Sequence, residues 1–516
     1  MRGWGDEARA RAAWEPALFA ALALWLLTPL AILAAAGGDA FNGTYGIQVA
    51  DQFQYMAFVR DAGEHVLISN RFDVGAASHV FLHPTFLVSG LLWKLGASIQ
   101  LALLAWQPVA AAVLFLAYAA YVRRLMGRGP AAAVALLLAL FFFTPATPLA
   151  QWLGGSDHLR FGTLVMGLEL FPAGYPWSGS AGTIGVALMP VFLLGAERVM
   201  DATRRATGRG RSWYVVWTGA AGLLVSWLHP WQGITLLVML GGLWAWARFD
   251  RAYLVLALPG ALTALPLAYY GLLSRTDSTW AQLAQSNDFA HVGLWFVLGL
   301  APALLALPAM RGRDLDLQER ALRLWPVAAL LVYFALHSGW IYQSLGGLTL
   351  PLAILAVRSV RQLRAPRLAV AVAVAAVTLP GMVFLARTLN ATSDEHFFPA
   401  GERDALAYLD RAARPGPVLA AQRLGQAVPG FTGRSTWVGH YQWTPDYDAR
   451  RAAAEGLFGG RLPAADAQRL VGDSGAAFIL AGCDTPGDLR PTLGTTVGNL
   501  HRFGCATVYE IRQRPS

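Results

Sequence analysis

Apolar runs of helical length, separated by short arginine-bearing segments, make up most of the chain. They lie near 17 to 36, 98 to 122, 130 to 149, 181 to 197, 213 to 229, 231 to 247, 252 to 273, 291 to 310, 324 to 339, 344 to 357 and 368 to 387. Runs of this length with so few charges suit bilayer-crossing helices, so the pattern predicts an α-helical polytopic membrane protein with about eleven transmembrane helices. The pairs meeting at His229 to Trp231 and at Gly339 to Ser344 are short enough for re-entrant hairpins. They are counted as spans because the alternation of charge between loops needs both members.

Composition agrees with that reading. The 516 residues are 56% hydrophobic and 14% charged, whereas a soluble domain carries charge on about 25% of its residues. A purely soluble protein is excluded. The net charge of +9 is not a nucleic-acid signal, because the basic residues sit in small clusters between apolar runs and form no recognition motif. Lys94 is the only lysine among 40 basic residues, which with the abundance of Ala and Gly fits a GC-rich, bacterial genome.

Topology explains the charge. Arginines cluster at 2 to 11, 123 to 128, 198 to 211, 248 to 251, 311 to 323 and 358 to 367, giving 21 on alternate loops, against Arg60, Arg71, Lys94, Arg160 and Arg275 on the others. The positive-inside rule then puts the N-terminus in the cytoplasm and the tail outside the cell membrane, with the first run as a signal-anchor. All ten histidines fall on the outer face in this topology.

The chain therefore divides into a transmembrane domain, 1 to 387, with interfacial helices in its first outer loop at 37 to 97, and an extracytoplasmic tail, 388 to 516. The tail alternates helix-like and strand-like stretches: a helix at Gly401 to Ala413, a strand at Pro417 to Ala421 and a helix from Asp446 to Phe458. It reads as a small α/β domain. Cys483 and Cys505 flank two strand-like runs that could pair, and an oxidising exterior would allow a disulfide between them; two buried free thiols are the alternative.

Candidate chemistry lies in the outer segments. At helical spacing, ADQFQYMAFVRDAGEH places Asp51 and Tyr55 on one face, with Arg60 further along, Tyr55 and Arg60 being candidates to meet a donor phosphate, and FLHPTFLVSGLLWKLG gives a second interfacial helix. Asp51 reads either as a first-turn carboxylate complementing the helix dipole or as a general base. Asp39, Asp61 and Asp73 read as solvated. Asp157 follows a Ser156 cap and could face Asp51 across a cavity, while His158 and Arg160 beside it could meet a phosphate. His79 and His83 have the spacing of a helical metal pair, but Pro84 argues against a helix through His83. His229 ends one span, as an interface-belt histidine or as a donor-site hydrogen-bonding group, and His337, Tyr342 and Gln343 stand at a matching position between two others, Gln343 being a candidate acceptor or sugar contact. No phosphate loop, internal repeat or low-complexity segment is present, and GRGRS at 208 to 212 suggests no more than lipid-headgroup contact.

Taken together these residues resemble the GT-C glycosyltransferases, polytopic enzymes that take sugar from a polyprenyl-phosphate carrier, and within them the aminoarabinose transferase and protein O-mannosyltransferase group. Asp51-Gln52 with Tyr55 matches the first acidic motif, His83-Pro84 the Lys-Pro-Pro-Leu-like motif, and Asp157 the second acidic site. The resemblance implies Asp51 as catalytic base or acceptor-orienting carboxylate, Asp157 as its partner, and His83 where the family lysine meets the donor phosphate. Gln52 stands where the family commonly has Glu, and histidine replaces lysine at 83. The likeness covers about the first 200 residues by motif. In the tail, PGFTGRSTWVGHYQWTPDYDARR also resembles a late segment of such proteins, in which Trp437, His440 and Trp443 would offer sugar-binding faces and Arg434 a charge; a turn-rich structural loop is the other account.

The implied activity is inverting transfer of a sugar from a polyprenyl-phosphate donor to a glycan, lipid or protein acceptor at the outer membrane face, among membrane lipids and without nucleic acid. A divalent metal is compatible with the family, although no cluster in the sequence demands one. A transporter would place ionisable residues near the bilayer midplane or show repeated halves, and here they gather at span ends. A non-catalytic protein that binds a lipid-linked glycan would survive loss of Asp51, and the enzyme would not.

Overall fold

The computed structural model describes residues 3–75, 78–205, 211–285, 293–312, 315–336 and 340–512. His291, His337 and most of the GRGRS segment lie outside them. The chain forms two compact units, one of Met1–Thr28 with Gln107–Asn390, the other of Pro29–Trp106 with Ala391–Ser516.

The first unit is built of apolar helices. Among the described residues five helices are long and apolar enough to cross a membrane: Trp14–Gly37, Ile99–Met126, Ser180–Arg204, Arg251–Thr276 and Arg367–Ala391. The remaining apolar runs are helical as well, but shorter or broken. The run at 130 to 149 is not one straight span, because Pro130–Phe141 and Ala146–Trp152 are bent by 46°. Pro145 is the cause, since the residue before a proline is steered out of the α region and Thr144 stands in the gap. The run at 291 to 310 starts as α-helix at Leu294–Leu300 and tightens to 3-10 over Ala301–Met310, where Pro302 and Pro308 each remove a donor.

In the second unit the segment at 37 to 97 folds together with the tail. The tail is therefore not a self-contained body, and the division expected at 387/388 falls differently, with 37 to 97 on the tail's side. The reason lies in the Val49–His65 helix, whose Phe53, Met56, Ala57 and Val59 are all buried. Phe53 stacks on Phe398 at 5.8 Å and meets Phe431 edge-on, and a Cβ on Gly430 of the Gln422–Thr432 helix would come within 2.8 Å of Met56. The Pro84–Lys94 helix crosses Val49–His65 at Gly90 and Gly63, where a side chain on Gly90 would come 2.5 Å from the Gly63 nitrogen. Only glycine permits two backbones so close. These helices lie inside a packed unit rather than singly at an interface.

Among the described residues four strands complete the unit: β1 (Val418–Ala420), β2 (Phe478–Ala481), β3 (Val497–Phe503) and β4 (Ala506–Ile511), ordered β1-β2-β4-β3. β1 runs parallel to β2, and β4 pairs antiparallel with both β2 and β3. Leu419, Ile479, Tyr509 and Ile511 give one face of this sheet to a core shared with Leu457, Phe458 and Val471 of two helices. Cys483 and Cys505 are disulfide-bonded, with Cα atoms 4.8 Å apart, just beyond the ends of the β2–β4 pairing. The strands at 417 to 421 and the two cysteine-flanking runs stand where the alternation of the tail places them.

Candidate active site

Asp51 lies in the first turn of the Val49–His65 helix, whose N-cap is Gln48 and makes no side-chain cap. The carboxylate is 23% exposed, and its Oδ1 lies 3.1 Å from Nε2 of the fully buried His440. The backbone N–H of Gln442 donates to His440 Nδ1 at 3.2 Å. An amide nitrogen can only donate, so Nδ1 carries the lone pair and the proton of a neutral imidazole sits on Nε2, aimed at Asp51. Asp51 Oδ1 is thereby held, and Oδ2 makes no hydrogen bond among the described residues. One turn on, Tyr55 stacks on Phe86 at 5.5 Å. Burial, then the charge of Asp51, push its phenol well above the ordinary range, so it stays a neutral hydroxyl.

The arrangement around this pair differs from the pattern the motifs suggest. Trp437 packs against the sheet core with Arg450 over its ring at 5.4 Å, and Trp443 is buried edge-on to Phe58. Trp443 is thereby closed to a sugar, and Trp437 keeps only part of its surface exposed. Tyr441, which the motifs did not single out, is 42% exposed and stacks on His440 at 4.6 Å. Its place beside His440 in GHYQW was the available signal. Arg434 donates to the carbonyls of Leu409, Ala412, Arg414 and Gly416, with its guanidinium 4.7 Å from the Phe478 ring. It ties chain segments together and offers no site to an anion.

Two further residues matched to donor binding are committed elsewhere. Arg60 donates to Asp410 at 2.6 Å and to the Phe431 carbonyl at 3.0 Å and lies over Trp93, so it is not free for a phosphate. His83 caps the Pro84–Lys94 helix from a buried position, with Nδ1 2.9 Å from the Thr85 hydroxyl. Burial lowers its pKa to about 3, so it lacks the positive charge of a lysine at that position.

Asp61 is not solvated. At 2% exposure it accepts Arg71 Nε and Nη2 at 2.9 and 2.6 Å on Oδ1, and the Ser69 amide and hydroxyl at 2.6 and 2.9 Å on Oδ2. His65 and His79 approach the same carboxylate, and among the described residues Asp61, His65 and His79 are the group with metal-ligand spacing, their ligand atoms within 4.8 Å of one another. A divalent cation fits poorly there, because four hydrogen bonds saturate the carboxylate and the Arg71 guanidinium occupies its approach. His79 does not pair with His83 in a metal site.

The other candidates lie in the first unit. Asp157 starts the Asp157–Glu169 helix behind its Ser156 cap, is fully exposed, and lies 4.0 Å from Arg160. His158 is exposed beside it. At the far end of that helix, burial raises the Glu169 carboxyl to about 8, and this acid the motif reading missed. His229 occupies the break between Arg211–Leu228 and Pro230–Trp246, with a buried Nδ1 that makes no hydrogen bond among the described residues and with Gly182 and Gly185 against its ring and Cβ. Gln343 sits in the Ile341–Leu345 turn, whose carbonyl at 343 accepts from Gln232 at 2.9 Å.

No protein-family model matches the chain, and no curated protein is similar to it. Solved structures do match, and they are GT-C glycosyltransferases. The fold is thus the one the motifs resemble. The aminoarabinose transferase ArnT from Cupriavidus metallidurans in the apo state matches with a TM-score of 0.50 at 14% identity, over 97% of this chain and 98% of that one. The same enzyme bound to undecaprenyl phosphate matches with a TM-score of 0.50 at 13% identity, over 94% and 98%. The apo oligosaccharyltransferase from Archaeoglobus fulgidus gives a TM-score of 0.50 at 13% identity over 97% and 74%, and the arabinofuranosyltransferase AftD from Mycobacteria 0.51 at 14% over 96% and 41%.

Proposed function

We propose that the chain is a membrane glycosyltransferase that moves a sugar from a polyprenyl-phosphate donor to an acceptor hydroxyl at the outer face of the cell membrane. The observation that carries the reading is Asp51 held by the Nε2–H of His440, with its second oxygen unbonded among the described residues. A partly exposed carboxylate fixed in this way is poised to take a proton from a hydroxyl. The acceptor oxygen forms its bond to the anomeric carbon as the bond from that carbon to the phosphate oxygen breaks; the hydroxyl proton passes to Asp51 Oδ2, and polyprenyl phosphate leaves with the electron pair. Inversion at the anomeric carbon follows from this single displacement.

Undecaprenyl phosphate bound to the structurally similar ArnT supports a lipid-linked donor. The alternate arginine clusters support a cytoplasmic N-terminus and an outer tail. Asp157 stands as a proposal for the partner of Asp51, Tyr55, His158, Arg160 and His229 as proposals for donor contacts and Gln343 for an acceptor or sugar contact, and a divalent metal is a proposal without assigned ligands.

The test is transfer of labelled sugar from a polyprenyl-phosphate carrier by the purified full-length chain, with Asp51→Asn as the comparison. Removing a positioned base lowers the rate by about 100- to 10,000-fold. Full transfer by the Asn variant refutes the mechanism and favours a protein that only binds a lipid-linked glycan.

A further inference from the structure

The arginines at one end of the membrane helices do more than set orientation. On the Trp106–Met126 helix, Ala120, Arg123, Arg124 and Gly127 follow at i, i+3, i+4 and i+7, and on Ser180–Arg204 the same spacing brings Leu194, Glu197, Arg198 and Asp201 to one face. These two faces, with Arg128, line a cavity of about 590 Å³. Gly127 adopts a left-handed φ of 71°, which ends its helix and turns the chain so that Arg128 also faces the cavity.

The charges in this cavity do not cancel. Arg123 is paired with Glu15 at 2.5 Å, and Arg124 is shared between Glu197 and Asp316, which ties the two helices together. Asp201 lies 3.8 Å from Arg205. Arg128 and Arg198 are exposed, line the cavity, and make no hydrogen bond or ion pair among the described residues. They leave it with an uncompensated positive charge. Toward the apolar middle of each helix the lining changes to Ala120 and Leu194.

We propose that this cavity binds the headgroup of an anionic phospholipid, with Arg128 and Arg198 holding the phosphate. Guanidinium and phosphate match in charge and in hydrogen-bonding geometry. A lipid is favoured over free phosphate because the basic mouth lies at the ends of two helices long and apolar enough to cross a membrane, where headgroups would sit, and because toward the middle of those helices the lining is apolar, at Ala120 and Leu194. This site is separate from Asp51 and does not depend on the catalytic reading.

Native mass spectrometry of the full chain, released from micelles holding equal amounts of cardiolipin, phosphatidylglycerol and phosphatidylcholine, reads the proposal directly. The two anionic lipids should be retained over phosphatidylcholine. The R128Q/R198Q variant should weaken that retention by about 5-fold for each arginine, about 25-fold together, while R275Q leaves it unchanged. Melting temperatures of all variants establish that they fold, and should R128Q/R198Q be unfolded, R128Q and R198Q are read singly. Equal retention of phosphatidylcholine, or anionic lipid bound undiminished by the folded variants, overturns the proposal. So does displacement of the lipid by millimolar inorganic phosphate, which would mark a free-phosphate site instead.

Discussion

Asp51 and His440 are 389 positions apart in the chain and 3.1 Å apart in the fold, one in the first turn of a loop helix and the other buried in the tail. Because the Gln442 amide fixes the imidazole tautomer, the histidine acts as an oriented donor to one carboxylate oxygen and leaves the other without a hydrogen bond among the described residues.

His440→Gln should therefore lower kcat by roughly 10- to 100-fold, the scale on which a misplaced reacting group loses rate. A glutamine amide can still donate to Asp51, but its carbonyl oxygen lies one bond further from the backbone than Nδ1 and so does not stand where the Gln442 amide donates. A structural role alone would lower the melting temperature and leave kcat per folded molecule unchanged, so kcat and stability are measured on the same preparation.

The buried Asp61 bridge predicts a stability effect without a catalytic one. Asp61→Asn leaves Arg71 without its partner and should cost about 3 kcal/mol, measured by chemical denaturation, because breaking a buried pair strands the remaining charge. Kinetics of the surviving folded fraction should match those of the wild type.

His83 gives the pH test. Its pKa of about 3 in the fold lies below the 6.5 of a free histidine, so the unfolded chain takes up the proton first as pH falls. The neutral buried ring contributes stability fully above about pH 6.5, and that contribution is lost progressively toward pH 3. Between pH 7 and pH 5 the wild type should lose about 2 kcal/mol more than His83→Gln. His83→Lys, which restores the residue type of the family motif, should destabilise by about 3 kcal/mol or more by burying an unpaired charge. Melting curves at the two pH values settle both outcomes.

The Cys483–Cys505 bridge closes a loop of sequence separation 22. Its removal by Cys483→Ser with Cys505→Ser should cost about 3 kcal/mol on the loop-entropy scale. Mass spectrometry of protein prepared without reductant should find neither thiol open to alkylation.

Local features were legible from sequence, and distant partnerships were not. The helical period of ADQFQYMAFVRDAGEH sets Asp51 and Tyr55 on one face, and the strand-like runs flanking Cys483 and Cys505 do pair. Pro145 already marks where the 130 to 149 run must bend. Nothing near Asp61 in its helix, however, announces Arg71, which returns from the turn beyond it. Likewise Trp437, Tyr441 and Trp443 lie within seven residues of each other, and only packing against Arg450 and Phe58 determines that the tyrosine keeps its face exposed. Arginine spacing is equally silent about commitment: Arg60 and Arg434 look as available in the sequence as Arg128 and Arg198, until the first two are seen to be ringed by acceptors.

The pairing of Asp51 with His440 also sets an order of events during synthesis. A ribosome delivers the carboxylate while most of the protein is still untranslated, and its imidazole partner comes only after every apolar helix has been made. Until then the first loop lacks the donor that orients its acid. A nascent chain that ends before the tail therefore cannot hold Asp51 by this hydrogen bond, and the pairing forms only once residue 440 has been made.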